Sequence, residues 1–174
     1  MARQALPCFL AAAIICGLLG GSLATAQVSG PDCSAPEYRQ FDFWVGDWEV
    51  TARGRVAGTN LVTKRDDGCV VHEQWNGSQG STGESWNFFD RSTGLWHQVW
   101  IDGTGGVLRF SGRYADGRLA MTGESTAPDG STVLHKLTFY NNAEDGTVRQ
   151  VWEQSKDGGS SWTVVFDGLY RRRN

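Results

Sequence analysis

An all-β chain closed into an antiparallel up-and-down barrel of about ten short strands, entered through a short N-terminal helical turn, is the fold class this sequence predicts. Three observations lead there. Turn signals recur at hairpin spacing: Arg53-Gly54 to Asn60, Asp66-Asp67-Gly68, Asn76 to Gly83, Asp90 to Gly94, Asp102 to Gly106, Asp116-Gly117, Pro128-Asp129-Gly130, Asn141 to Gly146 and Asp157-Gly158-Gly159. Beyond residue 43 no stretch of ten or more residues keeps a 3.6-residue hydrophobic period. Ten hairpin-linked strands are also more than a twisted open sheet carries without curling, so closure, which removes both edges, is the expected outcome. A two-sheet sandwich is the alternative; no blade-like repeat supports a propeller.

The elements follow in chain order. Arg3, an apolar run from Ala5 to Leu19 and the small-residue stretch ending Ala24-Thr25-Ala26 read as a secretory signal peptide over residues 1–26, cleaved before Gln27. The apolar run is shorter than the roughly 20 residues a spanning helix needs, so no membrane span is expected. Ile15 stands before Cys16 where a lipoprotein signal would carry a small residue. Cleavage leaves 148 residues, one domain's worth, and removes Arg3 but no acid, so the net charge moves from −3 to −4. There is no basic stripe, only Arg171 to Arg173 at the end, and nucleic acid is not an expected partner.

Residues 27–36 are rich in Ser, Gly and Pro and read as an irregular leader, and residues 37–174 as the single barrel domain. Cys8 and Cys16 leave with the signal, so Cys33 and Cys69 remain as a pair; export into an oxidising compartment, secreted or periplasmic, makes a disulfide the expected state. Glu37 to Phe43 supplies one helical turn or two. Strands are expected at about 46–53, 60–65, 69–76, 83–89, 95–102, 106–114, 118–124, 131–140, 147–155 and 161–171. The last hairpin, "SKDGGSSWT", has the Ser155, Asp157, Gly159, Ser161, Trp162 pattern of an Asp-box, in which the Asp accepts from turn amides and the Trp packs over the turn. One copy of it predicts a hairpin, not sugar chemistry.

Strand parity carries the functional reading. In "VRQVWEQS" the set Arg149, Val151, Glu153 is the solvated one, which turns Gln150 and Trp152 inward. The sets Trp96, Gln98, Trp100 in "LWHQVWID", Glu73 and Trp75 in "CVVHEQW", and Glu84, Trp86, Phe88 in "ESWNFF" repeat the mixture of indole with amide or carboxylate. A barrel filled only for stability would prefer aliphatic residues, because an unpaired buried amide or carboxylate costs roughly 1–3 kcal/mol. Rings interleaved with a few polar groups suit a ligand cavity, and ten strands leave more room inside than eight. The expected ligand-binding residues are therefore Glu73, Trp75, Trp86, Trp96, Gln98, Trp100, Gln150 and Trp152, around a small apolar or amphipathic molecule. On strand 95–102 the opposite parity is open, since Leu95, Val99 and Ile101 form the more apolar face; Trp96 and Trp100 would then lie outside and suggest a homodimer surface.

The stretch "FDFWVGDWEV" places Phe41, Phe43 and Trp44 before Gly46 and Trp48 after it. A helical turn there would lay the rings across one barrel mouth as a cork, with Gly46 permitting a sharp change of direction, and the pocket would open at the other end.

Together with "GCVVHEQWNG", "LWHQVWIDGTGG", "VRQVWEQSKDGGSSW" and "FDGLYRR", that opening resembles a bacterial domain family of unknown function placed near the calycin superfamily, over Phe41 to Arg172. The resemblance implies a lipocalin-like or fatty-acid-binding-protein-like barrel and no particular reaction or ligand. Haem-binding nitrobindins share a ten-stranded barrel, but only Trp44-Val45-Gly46 matches their opening; His72, His97 and His135 read as structural, and no cofactor is expected. His72 and Glu73 fall on opposite faces of one strand, which argues against a shared metal. No catalytic residue is assigned. The candidate is Glu73, as a desolvated acid or base with Gln98 or Gln150 orienting a substrate; its structural alternative, a pairing with Arg109 or Lys136, is the first expectation. A third reading is a filled barrel acting as a protein-interaction module.

Overall fold

The computed structural model describes residues 33–173. The expected signal peptide and the leader up to Asp32 lie outside the described residues. A helix, α1 (Pro36–Arg39), and a 3-10 turn (Asp42–Trp44) precede ten strands: β1 (Gly46–Ala52), β2 (Arg55–Arg65), β3 (Val70–Gly77), β4 (Thr82–Asp90), β5 (Leu95–Asp102), β6 (Val107–Ala115), β7 (Arg118–Thr126), β8 (Thr132–Asn142), β9 (Thr147–Ser155) and β10 (Thr163–Arg172). Each strand pairs antiparallel with its neighbours in sequence, and β1 pairs with β10, from Trp48 opposite Arg172 to Ala52 opposite Gly168, closing the barrel.

One expected boundary moves by more than two residues. The first hairpin loop, expected to run from Arg53 to Asn60, is a two-residue turn at Arg53-Gly54, and β2 starts at Arg55. Both turn residues have positive φ, 50° and 72°, the mirror-image turn whose twist matches that of its strands, so no longer loop is required. At the last hairpin the Asp-box forms: Asp157 accepts from the Ser161 amide (2.9 Å) and from the hydroxyls of Ser155 and Ser161, and Trp162 Nε1 donates to the Gly159 carbonyl at 3.1 Å. Lys136 lies 3.8 Å over the Trp162 ring.

The N-terminal segment corks one end. Phe41, Trp44 and Trp48 are fully buried. Phe41 stacks on Trp44 at 4.8 Å between ring centroids, and both rings meet Phe139, at 5.0 and 4.6 Å. Trp48 Nε1 donates to the Trp44 carbonyl (2.8 Å), which ties the 3-10 turn to β1. The segment is also held by the Cys33–Cys69 disulfide, whose Cα atoms are 5.0 Å apart, and by Lys64, which pairs with Asp42. Gly46 works differently from expectation. Its φ is not in the left-handed region; a Cβ there would come 2.5 Å from the Arg172 guanidinium, which can swing aside, and 3.0 Å from the Trp48 ring, so glycine serves close packing against the Trp48 ring rather than a change of direction.

Candidate functional site

Above the cork the inward residues change from rings to polar groups. On β2, β3, β4 and β5 the inward positions Asn60, Glu73, Ser85, Asn87 and Gln98 are all buried. Strand pairing sets Glu73 opposite Ser85 and Asn87 opposite Gln98, so cross-strand neighbours on one face meet. Asn60 Nδ2 donates to Glu73 Oε1 (2.7 Å) and the Ser85 hydroxyl to Glu73 Oε2 (2.6 Å). Asn87 Nδ2 donates to Ser85 Oγ and to the Val71 carbonyl, both at 2.9 Å, and Gln98 Nε2 donates to Asn87 Oδ1 at 2.8 Å. On the facing wall the Tyr170 hydroxyl donates to Gln150 Oε1.

This polar layer is the floor of a cavity of about 780 Å³, within the roughly 300–1,000 Å³ of small-molecule sites. Glu73, Gln98, Gln150 and Tyr170 reach it from the floor. Its walls are Trp75, Trp100, Phe110, Leu137, Trp152 and Phe166, and its rim includes Arg53, Arg55, Gln79 and Asp167, at the end opposite the cork. Burial pushes the Glu73 carboxyl up from 4.5 to about 7, against the hydroxyl of Ser85 and the amide of Asn60, which hold it down. The Tyr170 hydroxyl is pushed well above its ordinary value by burial and by the charge of Glu73. His135, behind the wall, accepts from Trp152 Nε1 at Nδ1 (3.1 Å) and shares a 2.8 Å bond with Ser125 through Nε2; burial holds its pKa below 6.5. That neutral tautomer fixes the Trp152 ring, since a protonated ring could not accept.

The space remains open in part because three of the wall rings lie over glycines. A Cβ on Gly83 would stand 2.3 Å from the Trp100 ring and one on Gly168 2.5 Å from Phe166, while one on Gly58 would meet the Asn76 backbone oxygen at 2.3 Å as well as Trp75 at 2.9 Å. Each ring therefore lies against the wall instead of across the cavity. Gly83→Ala is expected to lever Trp100 inward, reduce uptake of bulky apolar probes more than small ones, and cost about 1–3 kcal/mol of stability as an overpacked site. Probe titrations against ligand size, with thermal unfolding, check this; unchanged affinity across the size series would refute it.

Of the eight expected residues, Glu73, Trp75, Gln98, Trp100, Gln150 and Trp152 line the cavity. Trp96 faces inward but belongs to the cork: it is buried against Phe41 at 5.5 Å, and its Nε1 donates to Gln40 Oε1 at 3.1 Å. Trp86 is a correction. It points outward and is 43% exposed, and its ring covers His72 at 4.2 Å, because the inward positions of β4 are Gly83, Ser85 and Asn87. The first expected arrangement of Glu73 is corrected too: Arg109 is exposed on the outer face and Lys136 lies over Trp162, so neither reaches it. The inward parity of β5 likewise takes away the reason given for a homodimer surface at Trp96 and Trp100. Asn60, Ser85, Asn87, Tyr170 and Phe166 were not anticipated as site residues.

Among the described residues no group of three or more His, Cys, Asp or Glu side chains is placed to hold a metal ion, and no helix is long and apolar enough to cross a membrane. Neither the models of known protein families nor the curated proteins contain a match to this chain.

Proposed function

We propose that this chain is a secreted or periplasmic binding protein that holds a small apolar or amphipathic molecule in the barrel. The observation that carries the reading is a cavity of about 780 Å³ with ring walls and a hydrogen-bonding floor, where a barrel built only for stability would be packed with aliphatic side chains. The Cys33–Cys69 bridge supports an oxidising compartment. The calycin-like resemblance belongs to the same reading and rests on the sequence motifs alone.

Native mass spectrometry of the exported protein, followed by organic extraction, tests it. A bound apolar compound, or quenching of tryptophan fluorescence by apolar probes with micromolar midpoints, is the expected result. A protein that stays empty against a broad apolar panel, with no fluorescence response, would refute it and return the interaction-module reading. The spectra also report whether the chain is a monomer or a homodimer.

One observation favours a second reading. The Glu73 carboxyl, raised to about 7, titrates where a general acid or base is most useful. In that case Glu73→Gln abolishes turnover while ligand uptake persists; equal turnover in both proteins would dismiss it.

A further inference from the structure

Glu73 is 5% exposed and sits at the floor of the cavity. Its two oxygens take bonds from Asn60 and Ser85, both neutral donors, which orient an anion without bringing a counter-charge. None of the ion pairs among the described residues includes it. The cavity's own cations, Arg53 and Arg55, are exposed at the rim, where solvent and salt screen them. A carboxylate kept this deep without a cation is unusual, because buried charges are ordinarily paired.

The walls bear on the same point. Trp75, Trp100, Trp152 and Phe166 put several aromatic faces into one space, and an aromatic face attracts a cation when water is excluded. Above about pH 7, where Glu73 is ionised, a neutral ligand would leave the carboxylate uncompensated, and an anionic one would either approach Glu73 or stop at the rim. A cation is the only ligand charge that both the floor and the walls favour. The fold has already desolvated Glu73, so binding has to offset only the desolvation of the ligand's own charge.

We propose that the occupant is an apolar molecule carrying one protonated amine or quaternary ammonium group, seated with the cation on Glu73 and its apolar body among the wall rings. This rests on the reading of the cavity as a ligand site.

The experiment uses three probes of one shape, 1-naphthylmethylamine, 1-naphthalenemethanol and 1-naphthoate, titrated calorimetrically into the disulfide-bonded protein at pH 8 and low salt. The amine is expected to bind at least tenfold more tightly than the alcohol, with the carboxylate weakest. In Glu73→Gln the amine's advantage over the alcohol should fall to within about threefold, through a loss of amine affinity of at least several-fold. Equal binding of amine and alcohol by the wild type overturns the proposal and leaves the binding function standing. Tightest binding of the carboxylate also overturns it and moves recognition to Arg53 and Arg55. No binding of any probe fails the cavity reading and the proposal together. The wild-type comparison decides even if the variant does not fold.

Discussion

Glu73→Gln is expected to stabilise the empty protein at pH 8 and to leave it nearly unchanged at pH 5. In the folded chain burial raises the carboxyl from 4.5 to about 7. Between those values the folded state holds the proton that the unfolded chain has released, so stability declines as pH rises through that window and levels off above it. At about 1.36 kcal/mol per pH unit, the gap corresponds to roughly 3 kcal/mol. The amide removes the charge at the expense of one turned side chain: its oxygen still accepts from the Ser85 hydroxyl, and its NH2 donates to Asn60 Oδ1 once the Asn60 amide is turned over. The gain should appear as roughly 5–10 °C in Tm for a chain of this size. Unfolding curves of both proteins from pH 4.5 to 8.5 check it. An equal loss of stability at pH 5 and pH 8 would mean that Glu73 is a hydrogen-bond anchor and not a buried charge held for another purpose.

The comparison has to be a difference between the two proteins because other groups titrate nearby. His135, kept neutral by burial, opposes folding as pH falls below 6.5. Asp90, Asp102, Asp129, Asp145 and Asp157 lie in the hairpin turns, and each is held below 3.8 mainly by the hydroxyl of a following Ser or Thr, Asp157 down to about 2. Their stabilisation is present above the ordinary Asp value and lost as pH falls through their folded values. That window lies below the one Glu73 controls, so the wild-type profile should be highest on the acidic side of neutrality and the variant's should not decline toward pH 7.

The turns were the most legible part of the sequence, because Asp-Gly pairs and Asp or Asn followed closely by Gly act locally and need no knowledge of the rest of the fold. The strand boundaries follow from them. Parity was legible where a charged residue marked the outside, as Arg149 does on β9, and it failed on β4, where the apolar set Trp86 and Phe88 lies outside. The interior at that height is polar, so hydrophobicity pointed the wrong way. One signal could have corrected it: the short turn between β3 and β4 sets Glu73 opposite Ser85, and cross-strand partners share a face. With Glu73 inward, Ser85 and Asn87 must be inward too. Nothing local announces that Gly58, Gly83 and Gly168 make room for wall rings. A strand glycine marks a close approach, but which ring comes near it depends on register and rotamer. Tyr170 was missed for a related reason, since its partner Gln150 is 20 residues away.

Trp44→Ala is the second large effect, and it separates the end of the barrel that stabilises the fold from the end that binds. Trp44 is fully buried, stacks on Phe41 and packs at a tilt against Phe139, and its carbonyl accepts the Trp48 indole proton. Its own Nε1 has no hydrogen-bond partner among the described residues, so truncation removes packing and almost no polar energy. A loss of about 3–5 kcal/mol is expected, and Trp44→Phe, which keeps a ring in the stack, should recover more than half of it. Trp100→Ala provides the contrast. That ring is half-buried at the cavity wall, so its removal should cost far less stability while changing probe affinity several-fold. Chemical denaturation of the three variants, with probe titration of each that folds, distinguishes the two ends. If Trp44→Ala cost under 1 kcal/mol, or Trp100→Ala cost as much as Trp44→Ala, the division into a structural cork and a binding mouth would be wrong, and the aromatic residues would form one continuous core.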